Sequence, residues 1–170
     1  MANLILMCGV PGSGKSTWAK QHLKPSDVYI SRDEIRFSLV AENEEYFSKE
    51  AEVFKLFIQK INEALKDESV NNVFVDATHI SKASRNKILS NIKESVNEIN
   101  CVWMKTNIEK TLMQNEQRKG TRAYVPKSVI KRMFEQFEKP VFEECFDTIY
   151  IVEDSKLTSE NMAKELYSAM

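Results

Sequence analysis

The sequence predicts an α/β fold, a five-stranded parallel sheet with helices on both faces. Three observations carry that expectation. Short apolar runs alternate with longer amphipathic segments, the pattern of strand–helix–strand units. The first run, Leu4-Ile5-Leu6-Met7-Cys8, is continuously apolar, as a strand buried on both faces requires. Directly after it, Gly9-Val10-Pro11-Gly12-Ser13-Gly14-Lys15-Ser16-Thr17 fits G-x-x-x-x-G-K-[ST] at every fixed position. A helix through Trp18 to Leu23 completes the strand–loop–helix context of a P-loop, so the expected class is a P-loop NTPase fold.

The remaining elements follow in order. Lys24-Pro25-Ser26 punctuates, and Val28-Tyr29-Ile30-Ser31 reads as the second strand. Asp33 to Val40 reads as a helix and Glu42-Asn43-Glu44-Glu45 as a polar loop. A long helix is expected over Tyr46 to Lys66, because Phe47, Val53, Phe54, Phe57, Ile58, Ile61 and Leu65 recur at helical spacing. Those aromatics read as core. Val73-Phe74-Val75 forms a third strand ending in Asp76. Ser81 suits the N-cap of a helix carrying Ile88, Leu89 and Ile92. A fourth strand spans Ile99 to Met104 and a helix Ile108 to Gln117. Arg118 to Val125 is a basic, turn-rich segment. Pro126 opens the next helix, whose buried face is Ile130, Met133, Phe134 and Phe137. A fifth strand lies at Phe146 to Val152 and a last helix starts near Thr158. In such a sheet, ligand chemistry gathers at the carboxyl ends of the strands.

At 170 residues, with no internal repeat or linker, residues 1–170 read as one domain with a substantial core. The formal net charge of -1 provides no global positive field for a long nucleic acid. Cys8, Cys101 and Cys145 lack metal-ligand spacing, and their odd count suits reduced thiols in a cytoplasmic setting. No stretch is long enough to span a membrane, and the N-terminus lacks the charged region of a signal peptide.

The chemistry starts at the opening loop. Its glycines allow a tight winding in which successive N–H groups converge on an anion, and the helix N-terminus behind adds favourable potential. Gly9, Pro11, Gly12, Ser13, Gly14, Lys15, Ser16 and Thr17 are thus the candidate ATP-binding residues. Lys15 is expected at the β- and γ-phosphates and Ser16 on Mg²⁺. Asp76, closing an apolar strand, is the second candidate on the metal side; a turn or cap is its structural alternative. Asp33 lies just past the second strand, three residues before Arg36, so the two share a helical face. Asp33 suits either a base accepting a hydroxyl proton or a helix N-cap. Arg36 suits either an anion fork or a surface ion pair. Arg118, Lys119 and Arg122 form a basic segment, about 118–126, able to close over phosphates as a lid or simply to face water. Lys82, Arg85 and Lys87 read as a solvated helix face, and His79 as structural.

Five blocks together resemble the 5′-polynucleotide kinase family, the kinase domain of phage and bacterial end-healing enzymes. They are Gly9 to Ala19, Ser31-Arg32-Asp33-Glu34-Ile35-Arg36, Asp76-Ala77-Thr78, Asn115-Glu116-Gln117-Arg118, and Gly120-Thr121-Arg122-Ala123-Tyr124-Val125-Pro126. They keep the family's order over roughly residues 4 to 150. The first is shared by many P-loop enzymes; the Arg-Asp-x-x-Arg and lid blocks discriminate better. The resemblance implies ATP- and Mg²⁺-dependent phosphorylation of a 5′-hydroxyl end of DNA or RNA. It implies Lys15 and Ser16 at the phosphates and metal, Asp33 as general base, Arg36 on a neighbouring acceptor phosphate, Arg118 at the transferring phosphate and Asp76 supporting the site. Two departures stand out. The lid is slightly longer than the family's between Arg118 and Pro126, so Lys119 or Arg122 can exchange roles and Arg122 is a second candidate substrate contact. The chain also ends without the phosphatase or ligase module often fused to such kinases. Kinases of small molecules or aminoacyl-tRNA, and a nucleotide-gated binding module, are the alternatives to a polynucleotide kinase.

Overall fold

Strand order in the sheet is set by where the apolar runs pair. The computed structural model describes residues 1–154, 156–157 and 162–163. Its parallel strands are β1 (Asn3–Cys8), β2 (Asp27–Ser31), β3 (Asn72–Asp76), β4 (Ile99–Lys105) and β5 (Thr148–Glu153), in the spatial order β2-β3-β1-β4-β5. β1 is central, so both its faces are covered. Leu4, Leu6 and Cys8 join one apolar cluster with Phe57, Ile61 and Ile88, whereas Met7 joins Trp18, Phe74 and Met104 on the other side. That division follows from the period-2 pleat. The helices are α1 (Lys15–His22), α2 (Arg32–Leu39), α3 (Glu50–Lys66), α4 (Lys82–Leu89), α5 (Ile108–Glu116) and α6 (Lys127–Gln136). Two-residue antiparallel strands, β6 (Lys156–Leu157) and β7 (Met162–Ala163), extend the sheet from β5.

Registers align the chemistry. Met7 of β1 lies opposite Asp76 of β3, and Asp76 lies opposite Ser31 of β2. The loops after β1, β2 and β3 therefore leave from one sheet edge, the carboxyl edge where ligands bind in such folds. Side-chain caps fix three helix starts: Ser31 accepts from Glu34 N–H, Ser81 from Ser84 N–H and Asn107 from Lys110 N–H. Each satisfies a backbone donor that the helix leaves unpaired.

Several expectations need correction. The long helix starts at Glu50, not Tyr46; the preceding residues turn instead. Phe47, expected in the core, is 61% exposed. Ile92 lies beyond α4, and only Ile130 of the expected α6 face is fully buried. Arg85 does not face water. It is fully buried, and its guanidinium donates to Glu144 Oε1 at 2.7 Å and to the His79 carbonyl at 2.7 Å. Glu144 belongs to a short 3₁₀ turn, Phe142–Glu144, that the sequence did not suggest. The helix expected near Thr158 falls mainly outside the described residues, and within that range Met162–Ala163 is strand.

Candidate functional site

The P-loop takes its shape from two glycines in the left-handed region, Gly12 (φ +81°) and Gly14 (φ +90°). Other residues are strained there. Gly12 also packs against α5: a Cβ would sit 3.0 Å from the Thr111 carbonyl oxygen. Gly14 leads directly into α1, and the Trp18 N–H returns to its carbonyl at 3.0 Å. The Gly9 N–H donates to the Thr78 carbonyl at 2.9 Å, tying the P-loop to the segment after β3. Pro11 is half-buried, and Thr17 is exposed on the first turn of α1. The Ser13 hydroxyl oxygen is buried without a partner among the described residues. Among the described residues Lys15 Nζ reaches only the Val10 carbonyl, at 3.5 Å.

Next to the loop, Ser16 Oγ donates to Asp76 Oδ2 at 2.6 Å, and the Tyr29 hydroxyl donates to the same oxygen. Asp76 is 4% exposed. Burial and the Asp76 charge push the Tyr29 phenol well above its ordinary range, so it remains a donor. A hydroxyl and a carboxylate are hard oxygen donors of the kind Mg²⁺ takes from protein, with phosphate and water completing the shell. The residues present fit that ion. Among the described residues no group of three His, Cys, Asp or Glu side chains gathers as a closed metal site.

Asp33 occupies the first turn of α2, but the cap is Ser31. The Asp33 side chain is 62% exposed. Its Oδ1 accepts from Arg36 Nη1 at 2.5 Å and from the Tyr46 hydroxyl at 2.9 Å. Burial and the neighbouring Asp33 charge raise the Tyr46 phenol to about 12.

Arg36 is 6% exposed. Its Nε and Nη2 form a fork on Glu50, at 2.6 and 3.0 Å, while Nη1 also contacts the Tyr46 hydroxyl at 3.0 Å. Burial works against its charge, yet the Glu50 hydrogen bonds outweigh it and keep the guanidinium above its ordinary range. Glu50 responds oppositely: burial opposes its charge, and Arg36 still holds the carboxyl below its usual range. All three guanidinium nitrogens of Arg36 therefore have protein partners.

The basic segment after α5 is pinned at its base. Asn115 is fully buried; its side-chain oxygen accepts from Val125 N–H at 3.0 Å, and its amide donates to the Val125 carbonyl at 2.6 Å. Arg122 reaches α2, donating to the carbonyls of Phe37 at 3.3 Å and Val40 at 2.5 Å, with its guanidinium over the Phe37 ring. Cations at a helix C-terminus meet its partial negative charge. Arg118 is half-buried, and its guanidinium has no hydrogen bond or ion pair among the described residues. Lys119 is exposed.

His79, left out of the chemistry by the sequence, is 3% exposed and adopts φ +46°. Its Nδ1 lies 2.7 Å from the Met7 carbonyl. Burial lowers its pKa to about 4. Tyr29, Tyr46 and Glu50 are the site neighbours that sequence reasoning missed. Their only signal was position: Tyr29 sits two residues before the end of β2.

Comparisons with known proteins follow the same lines. A family model described as an AAA domain matches residues 4–140. The L-seryl-tRNA(Sec) kinase of Methanococcus maripaludis is 28% identical over 161 residues, 89% of this chain; the chain spans 59% of that protein's length. A chain of the Pnkp1/Rnl/Hen1 RNA repair complex superposes with a TM-score of 0.67 at 25% identity, over 79% of this chain and 43% of that one. A gluconokinase from Sinorhizobium meliloti gives a TM-score of 0.61 at 18% identity over 91% of this chain and 83% of that one, a likeness of fold alone. No helix among the described residues is long and apolar enough to cross a membrane. The parallel sheet, the P-loop between β1 and α1 and the family match agree: the chain belongs to the AAA domain family and has a P-loop NTPase fold.

Proposed function

We propose that the protein is an ATP-dependent phosphotransferase whose acceptor is a 5′-hydroxyl end of a polynucleotide. The observation that carries this reading is Asp33: a solvent-facing carboxylate, 62% exposed, beyond β2 at the edge that also carries the P-loop and Asp76. A kinase needs a carboxylate there to take the acceptor's proton. In this reading the acceptor oxygen bonds to the γ-phosphorus while the bond to the β–γ bridging oxygen breaks. ADP leaves, and the hydroxyl proton passes to Asp33. Gly9, Pro11, Gly12, Ser13, Gly14 and Thr17 shape the phosphate cradle, with Lys15 at the β- and γ-phosphates. Ser16 and Asp76 hold Mg²⁺, which when bound neutralises phosphate charge. Arg118, a guanidinium without a hydrogen-bond or ion-pair partner among the described residues, comes to the transferring group. Arg36 and Arg122 contact the acceptor only by giving up protein partners, so their first role is to fix Asp33 and the lid.

A second reading, a hydroxyl on aminoacyl-tRNA, is favoured by the 28% identical L-seryl-tRNA(Sec) kinase. Labelled ATP offered with 5′-hydroxyl oligonucleotides, serylated tRNA, nucleosides and gluconate separates the readings. Label on oligonucleotides supports the first and label on charged tRNA alone the second. Label on gluconate alone, or ATP binding with no transfer, overturns both.

A further inference from the structure

We propose that Phe47, braced by Tyr46, is a stacking surface for the nucleobase of the nucleotide that presents its hydroxyl to Asp33. The inference rests on the acceptor being a nucleic acid, as argued above. Phe47 is one of three large hydrophobic side chains exposed among the described residues, the others being Met1 and Met113. It is the one that adjoins the candidate base. The Tyr46 ring stands edge-on to it, with centroids 4.7 Å apart and planes at 90°, and the Tyr46 hydroxyl donates to Asp33 Oδ1. One phenol ring therefore separates the exposed aromatic from the carboxylate. In this arrangement the base lies on Phe47, the hydroxyl at Asp33, and the sugar of the same nucleotide between them. A small polyol has nothing planar to place there.

Charge points the same way. The Arg36 guanidinium lies 4.6 Å from the Tyr46 ring centroid and 5.4 Å from that of Phe47. It steadies both rings, but its hydrogen-bonding edges belong to Glu50, Asp33 and Tyr46. The Arg36 guanidinium beside Phe47 is thus committed to protein partners rather than to an acceptor phosphate. Stacking supplies affinity without that cation, and accepts any base because every base has a π-face.

The test uses the full chain with ATP and 5′-hydroxyl oligonucleotides, comparing Phe47→Ala, Phe47→Leu and Phe47→Trp, and comparing intact acceptors with ones abasic at the terminal nucleotide. Loss of a stacked base is expected to raise acceptor KM about fivefold or more. Phe47→Ala and Phe47→Leu show that rise while KM for ATP stays constant, and Phe47→Trp stays near the parent. The abasic acceptor is equally poor for parent and Phe47→Ala, because the partner is already gone. An acceptor KM for Phe47→Ala within twofold of the parent, or equal use of abasic and intact ends by the parent, overturns the proposal alone. Failure of the parent to phosphorylate any 5′-hydroxyl oligonucleotide, label on charged tRNA alone included, overturns the first functional reading, and this surface with it.

Discussion

The Ser16 hydroxyl meets the Asp76 carboxylate at 2.6 Å, where the first turn of α1 faces the end of β3. The contact joins the two oxygen types that a P-loop enzyme presents to Mg²⁺. Asp76→Asn keeps the size and one acceptor but removes the negative charge. It is expected to raise the Mg²⁺ concentration for half-maximal turnover about 10- to 100-fold. A magnesium titration of turnover at saturating ATP measures this, and an unshifted midpoint would remove Asp76 from the metal side.

Among the described residues Lys15 has only a long contact, 3.5 Å to the Val10 carbonyl, so its ammonium contributes little to the fold. Lys15→Ala is expected to lower kcat about 100-fold or more, as losing a preorganised positive group at a developing charge does. Its thermal midpoint should match the parent's. Steady-state kinetics beside a melting curve separates loss of chemistry from loss of structure.

Asp33→Asn is expected to reduce kcat about 100- to 10,000-fold, because an amide cannot accept the hydroxyl proton. The Asn oxygen can still accept from Tyr46, and the position is exposed, so stability should change by less than about 1 kcal/mol. Normal turnover by this variant would leave Asp33 as a mere brace for Arg36.

Arg36 and Glu50 predict a stability effect rather than a purely kinetic one. Removing one partner of a buried pair costs about 3–5 kcal/mol; the Glu50 side chain is 30% exposed, so Glu50→Ala should cost roughly 2–3 kcal/mol after that discount. Arg36→Ala should lose comparable stability and raise acceptor KM as the Asp33–Tyr46 cluster loosens. Urea unfolding of both variants, with acceptor kinetics for Arg36→Ala, gives the two readouts.

His79 predicts a pH dependence. Its pKa falls from 6.5 in a free side chain to about 4 in the fold. As pH drops below 6.5 the unfolded chain takes up a proton that the folded chain refuses, so stability is full above that value and is lost toward pH 4. At pH 4.5 the loss from this group is about 2–3 kcal/mol. Parent and His79→Gln, unfolded in urea at pH 7 and 4.5, should differ by that amount in their acid sensitivity. Equal sensitivity would show that the imidazole titrates normally.

What the sequence made legible was local. Gly9 to Thr17 is contiguous, so its strand–loop–helix geometry could be read from spacing. The place of Asp76 at the end of β3 could be read because it closes an apolar run. What stayed hidden depends on partners far away in the chain. Arg85 looked solvated beside Lys82 and Lys87, but it lies one helical turn from Ile88 on the inward face of α4 and pairs with Glu144, 59 residues on. Arg36 carried two readings from spacing, because Glu50 and Tyr46 come to it only once the chain turns before α3. That turn is also why Phe47 left the core: a helical period was extended across residues that do not continue the helix.

The two hydrogen bonds between the Asn115 side chain and the Val125 backbone have a mechanical consequence. One side-chain amide mimics a strand partner and fastens the C-terminal foot of the basic segment, at Val125, to the helix that packs on Gly12. At the far end Gly120 stands with open space around its Cβ position. The stem of the segment is therefore held through the same helix that abuts the P-loop.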